Sequence, residues 1–232
     1  ASAALLAALP YLSTSPEQLR AARAAVARAP EPPEPPAAST VFLSVHRGLH
    51  RQIRAYLLGL LSARLGDAGA AARYASALDT MSGPGAEAGS LPRDLAAGIR
   101  AESAMRAGRP AEALALLAAS RRERWYELAT ASPFFAQSRE RFVQAEALAA
   151  LGRDPEAAEL YRSFTGEGSP FDLTYSAPAA LRLGAIAERA GRREEAADHY
   201  ARVLEAWADA DGELQPILRE ARKGLERVKR EP

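Results

Sequence analysis

Four glycines, Gly66, Gly108, Gly152 and Gly191, each close a stretch rich in alanine and leucine, and the residues around them recur at fixed offsets. Seven residues before each stands a small residue: Gly59, Ala101, Ala145 and Gly184. Five residues after stand Ala71, Ala113, Ala157 and Ala196; nine after stand Ala75, Leu117, Tyr161 and Tyr200; twelve after stand Leu78, Ser120, Phe164 and Val203. A helix that must stop and reverse needs a left-handed residue, which glycine supplies without steric cost. Small residues on either side of the turn let two antiparallel helices approach closely, and the bulkier residue beyond fills the gap. The pattern predicts four helical hairpins, at about 46–80, 92–120, 133–164 and 177–209.

Composition agrees. Alanine, the best helix former, accounts for 55 of the 232 residues. The branched and aromatic residues that sheets require are scarce, which excludes an all-β protein and disfavours a doubly wound α/β enzyme. There is no cysteine, so disulfides, thiolate nucleophiles and Cys-ligated zinc are excluded. A formal net charge of +1 gives no global attraction to nucleic acid or membrane. Only Lys223 and Lys229 among the 30 basic residues are lysine, a bias that accompanies the Ala, Gly and Pro of GC-rich coding sequences. No apolar run approaches the roughly 18–20 residues that span a bilayer. The longest, near Tyr56–Leu61, is flanked by Arg54 and Arg64. Ala1–Leu9 has neither an initiating Met nor a basic leader, so it is not read as a signal peptide. A cytoplasmic protein, excised from a longer chain, is the expectation.

Start signals flank the repeats. Ser15-Pro16-Glu17-Gln18 and Ser132-Pro133 combine an N-cap with proline in the first turn, and Asp154-Pro155-Glu156 reads the same way with Asp154 as cap. The chain divides into an N-terminal helical segment (1–29), a Pro-rich connector (30–40) and a repeat domain (41–232). A capping helix at 213–229 carries Leu214, Ile217, Leu218, Ala221, Leu225 and Val228 on one stripe, and Arg219, Glu220, Arg222, Lys223, Glu226 and Arg227 on the other. The expected architecture is an all-α right-handed superhelix, an α-solenoid.

With a Gly and two small residues at these offsets, the segments resemble tetratricopeptide repeats, best over 177–209, then 138–164, 52–78 and 94–120. Ala55, Ala97, Arg141 and Ala180 replace the family's early Trp, and Gly83, Trp125, Ser169 and Ala208 its late Pro. The glycines lie 42, 44 and 39 residues apart, longer than the family period of about 34, so loops or longer helices absorb the excess. The stretches GLHRQIRAYLLGLLSARLGD, SPFFAQSRERF and WADADGELQPILREARKGL are similar to the C-terminal repeat region of large bacterial signalling proteins. In those a serine/threonine kinase or DNA-binding domain precedes the repeats. That resemblance implies a sensory or scaffolding tail.

The tetratricopeptide resemblance also implies a concave groove lined by the first helix of each hairpin. Carried onto this chain, its polar and aromatic positions are Tyr56, Arg64, Glu102, Arg106, Arg139, Phe142, Glu146, Glu188 and Arg189. Arginines in such a groove suit a peptide carboxylate, held bidentately, with Tyr56 and Phe142 as apolar anchors. The competing reading is that these glutamates and arginines pair with each other across neighbouring helices. A second surface is aromatic: Phe134, Phe135, Phe171 and Tyr175, with Trp125, Tyr126 and Phe164 nearby, which serve either as interface anchors or as wedges between repeats.

Catalytic chemistry has no foothold. His46 and His50 have helical metal-binding spacing but no third ligand, since His199 lies on another repeat. The carboxylates fall among arginines, as at Arg139–Arg141 and Arg192–Glu195, like solvated helix faces. No phosphate-loop, dinucleotide or nucleophile-elbow motif occurs, and Gly83-Pro84-Gly85 and Gly166-Glu167-Gly168 read as loops. The expectation is a non-enzyme, without cofactor or metal, that binds a protein or peptide segment or an upstream domain of its own polypeptide. Neither nucleic acid nor membrane is an expected partner. The alternatives are a helical small-molecule sensor with a pocket near Phe134, Phe135 and Tyr175, and a structural or homo-oligomeric module.

Overall fold

A computed structural model describes residues 2–31, 49–81, 91–118, 132–166 and 169–230. Every regular element among them is helical, and no described helix is long and apolar enough to cross a membrane. The chain forms two compact units, Ala1–Pro10 with Thr14–Ala129, and Tyr11–Ser13 with Thr130–Pro232.

The first unit holds α1 (Ser2–Ala7), α2 (Pro16–Arg28), α3 (Leu49–Arg64), α4 (Ala68–Asp79), α5 (Leu91–Arg106) and α6 (Pro110–Ala118). The second holds a one-turn α7 (Pro133–Ala136), then α8 (Ser138–Ala150), α9 (Asp154–Arg162), α10 (Leu173–Arg189), α11 (Arg193–Ala206) and α12 (Gln215–Arg230). Short 3₁₀ turns at Pro170–Asp172 and Gly212–Leu214 precede α10 and α12. Apart from the one-turn α7, which touches the Pro170–Asp172 turn, each helix within a unit packs on its successor, and the first helix of one hairpin also touches the first helix of the next: α3 on α5, α8 on α10.

All four hairpin turns close in the same way. Gly66, Gly108, Gly152 and Gly191 have φ between +70° and +78°. After each, the following N–H reaches back five residues: Asp67 to the Ser62 carbonyl, Arg109 to Ala104, Arg153 to Leu148 and Arg192 to Ala187, all at 2.9 Å. This is the Schellman closure, which satisfies carbonyls that a helix end otherwise leaves orphaned. Ala71, Ala113, Ala157 and Ala196 are all buried, as the hairpin pattern requires. At the other small position, a Cβ added to Gly184 would fall 2.8 Å from the Tyr200 ring, and one on Gly59 2.9 Å from Ile99 Cγ1. Gly224 on α12, outside the repeat register, meets the same tyrosine, 2.6 Å from Cε2 to an added Cβ. Tyr200 therefore packs against two helices through missing side chains.

Element boundaries differ from the sequence expectation in three places. The first helix of the third hairpin starts at Ser138, because Gln137 adopts φ +50° and breaks the chain after one turn. Ser132 does cap that turn, its Oγ accepting from the Phe134 N–H at 3.4 Å. The fourth hairpin begins earlier than expected, at Leu173, and so carries Pro178 inside its helix. Asp154 lies within α9 instead of capping it, and Arg153 stands at the cap with no side-chain hydrogen bond. Ala4, Leu19, Ala22 and Val26 of α1 and α2 share a core with Leu57, Leu58 and Leu61 of α3, which makes the N-terminal helices part of the first unit. Ser15 behaves as read: its Oγ accepts from Gln18 N–H at 3.2 Å, and its own N–H donates to Gln18 Oε1 at 2.9 Å. Most of the connector (32–40), His46, Gly83-Pro84-Gly85, Ser120, Trp125 and Tyr126 lie outside the described residues.

Two substitutions probe this packing. Ala157→Leu and Ala196→Leu should each destabilise the chain by roughly 1–3 kcal/mol through overpacking, read by urea denaturation. Gly191→Ala should cost about 1–2 kcal/mol from the left-handed backbone alone, with no loss of helical signal.

Candidate interaction site

The groove positions are mostly covered. In the first unit Tyr56 is 3% exposed, and Arg64 Nη1 faces Glu102 Oε1 at 3.9 Å, with both side chains 7% exposed. Arg106, at the last turn of α5, is exposed. In the second unit Arg139 is buried beside Glu140 at 3.7 Å, and Phe142 is a core residue at 1% exposure. The two aromatic positions proposed as partner anchors are thus packed within the protein. Arg189 stays exposed while holding Asp154 with two hydrogen bonds, 2.8 and 3.1 Å.

Glu146 and Glu188 are each held by a tyrosine and an arginine. Glu146 accepts from the Tyr161 hydroxyl at 2.6 Å and from Arg182 at 2.8 and 3.3 Å. Glu188 accepts from the Tyr200 hydroxyl at 2.6 Å and from Arg227 at 2.7 and 2.9 Å. The tyrosine in both cases stands nine residues after the hairpin glycine, and the arginine comes from the first helix of the next structural layer, α10 or α12. One carboxylate thereby joins three helices, with the bidentate geometry that only arginine supplies. Arg227, itself exposed, ties the polar face of α12 to Glu188.

The electrostatics follow the geometry. Hydrogen bonding to Arg227 holds the Glu188 carboxyl below its ordinary 4.5, against the opposing effect of partial burial. Burial, reinforced by the neighbouring carboxylate, pushes the Tyr161 and Tyr200 hydroxyls well above the ordinary phenol value of 10.0, so both remain donors. His199 is lowered by burial and then by Arg202. Among the described residues no three His, Asp or Glu side chains gather as a metal site.

Six aromatic residues form one cluster in the second unit. Phe142 contacts Tyr161 (centroids 5.6 Å), Phe164 (5.9 Å), Tyr175 (5.3 Å) and Tyr11 (5.9 Å), the last from the segment between α1 and α2. Tyr11 also meets Tyr175 at 5.7 Å and Trp207 at 6.3 Å. Beside it, Arg141 lies 4.7 Å over the Phe164 ring, donates to Ser163 Oγ at 3.0 Å and pairs with buried Asp172, which also accepts from Ser138 Oγ at 2.5 Å. Of the four aromatics singled out from sequence, Tyr175 joins this cluster. Phe135 is buried, and Phe134 and Phe171 are half-buried.

Sequence reasoning missed Arg182, Arg227, Trp207 and Tyr11. The first two had a signal, each lying about one repeat beyond its glutamate. Tyr11 had none, being far from the cluster in sequence and outside any periodic stretch. Comparison with known protein families, with curated proteins and with solved structures finds no match.

The sign of the Glu188 effect is testable. A carboxyl with a lowered folded-state pKa stabilises fully above its unfolded value, and that contribution is lost as pH falls through the folded value. Glu188→Gln should therefore cost roughly 1 kcal/mol at pH 7, a figure already reduced for partial exposure. The gap to the unmodified chain should narrow as pH drops below 4.5 in paired urea titrations.

Proposed function

We propose that this chain is a non-catalytic interaction module of the tetratricopeptide type, whose hairpins continue as a right-handed superhelix and which binds a peptide or a neighbouring domain of a larger bacterial signalling protein. The observation that carries the reading is the fourfold identity of the hairpin turns, each with a positive-φ glycine, a five-residue back-bond and a buried alanine five residues on. Arrays of this kind present side chains of successive first helices on one surface. Among the groove positions the exposed arginines are Arg106 in the first unit and Arg189, which also pairs with Asp154, in the second. A peptide carboxylate is the complementary ligand, since guanidinium groups bind it bidentately. The buried aromatics contribute rigidity to this surface and not direct contact. The peptide reading is preferred to the small-molecule alternative because the rings of Tyr11, Phe142 and Phe164 pack on Tyr175.

Selection from a displayed random-peptide library should enrich sequences with a terminal or side-chain carboxylate. Arg106→Ala combined with Arg189→Ala should weaken the selected peptides at least fivefold in titration calorimetry, with an unchanged circular dichroism spectrum. Enrichment of no peptide, or full affinity in the double variant, would overturn the groove reading.

A further inference from the structure

The cluster around Tyr11 is built around a backbone acceptor as well as around rings. Inside α10 the Thr174 carbonyl should accept from the N–H four residues on, but that residue is Pro178, which has none. The Tyr11 hydroxyl donates to this carbonyl at 2.7 Å. The ring beneath it meets Phe142 and Tyr175 edge-on and Trp207 at a tilt, the offset geometries that aromatic pairs favour. Burial lifts the Tyr11 hydroxyl above its ordinary value and keeps it protonated as a donor.

The helix that Pro178 interrupts thus exposes one carbonyl at the edge of an aromatic platform. That combination suits an aromatic side chain with a donor at its far end, which tyrosine supplies. Phenylalanine supplies the ring without the donor, and serine supplies the donor without the ring. Thr174 itself is exposed, so the polar end of the site stands at its rim. Tyr11 is only partly buried, whereas Phe142 and Tyr175 beneath it are core residues, and it arrives on a non-helical link between α1 and α2. A short linear segment with one aromatic anchor is a form that a partner peptide can reproduce.

We propose that this cluster is a recognition site for a peptide tyrosine side chain, filled here by the chain's own Tyr11 and open to a tyrosine-bearing partner segment that displaces it. The site does not depend on Arg106 or Arg189, so it stands or falls separately from the groove.

The test uses the full chain carrying Tyr11→Ala and a fluorescent synthetic peptide of residues 8–14. The peptide should bind this variant at least tenfold tighter than the unmodified chain, where Tyr11 competes. The same peptide with phenylalanine for tyrosine should bind about threefold more weakly, the worth of one neutral hydrogen bond. Equal binding to both chains, equal binding of both peptides, or no binding up to millimolar concentration would each overturn the proposal. Should Tyr11→Ala fail to fold, Tyr11→Phe and Pro178→Ala provide a double-mutant cycle. Alanine at 178 returns a backbone donor to the Thr174 carbonyl. Tyr11→Phe should then lower the folding equilibrium constant about threefold beside Pro178 and hardly at all beside alanine. Additive effects would show that the carbonyl does not read the hydroxyl.

Discussion

The helices of each hairpin meet through Ala71, Ala113, Ala157 and Ala196, all fully buried, and the remaining packing depends on that close approach. A larger residue at these points would push the two helices apart. The glycine turn ahead of each would then lead into a misplaced second helix. Tyr200 shows how little room is left, with glycines of two helices against its ring. Interiors packed to this density lose stability on either loss or gain of volume, which explains why small residues hold the hairpin contacts and large ones fill the space beyond them.

Polar residues reinforce the same contacts. Glu146 and Glu188 are each held by a tyrosine from their own hairpin and an arginine from the next layer. A carboxylate so placed fixes register across three helices, because a shifted helix would leave a partly buried charge without its partners. The abundance of arginine, which GC-rich coding explains by itself, acquires a structural use at these two sites. Lysine, a single-point donor, could not reproduce the two-pronged contact.

Much of the fold was legible because its signals are local. A glycine stop, a Ser-Pro start and a capping box act within a few residues, so Gly66, Gly191 and Ser15 behave as read. The errors lie where distant contacts override local preference. Gln137 takes a left-handed conformation that its identity does not announce, and Pro178 sits inside a helix that its chemistry argues against. The site was less legible than the fold. Carrying a groove over by offset finds positions on a helix face, but whether a position is open depends on which helices cover it. Tyr56 and Phe142 are core residues for that reason, while Arg106 and Arg189 remain at the surface.

The sequence by itself determined the helical class, the four hairpin turns and the small residues at their contacts, because these follow from backbone sterics and periodicity. Tertiary structure alone decided how carboxylates are shared between layers, and it brought Tyr11 to the carbonyl that Pro178 leaves without a donor. The physical reason is range. A proline removes its own N–H wherever it stands, but which group answers the vacant carbonyl is set by the folded chain in space, across 163 residues of sequence.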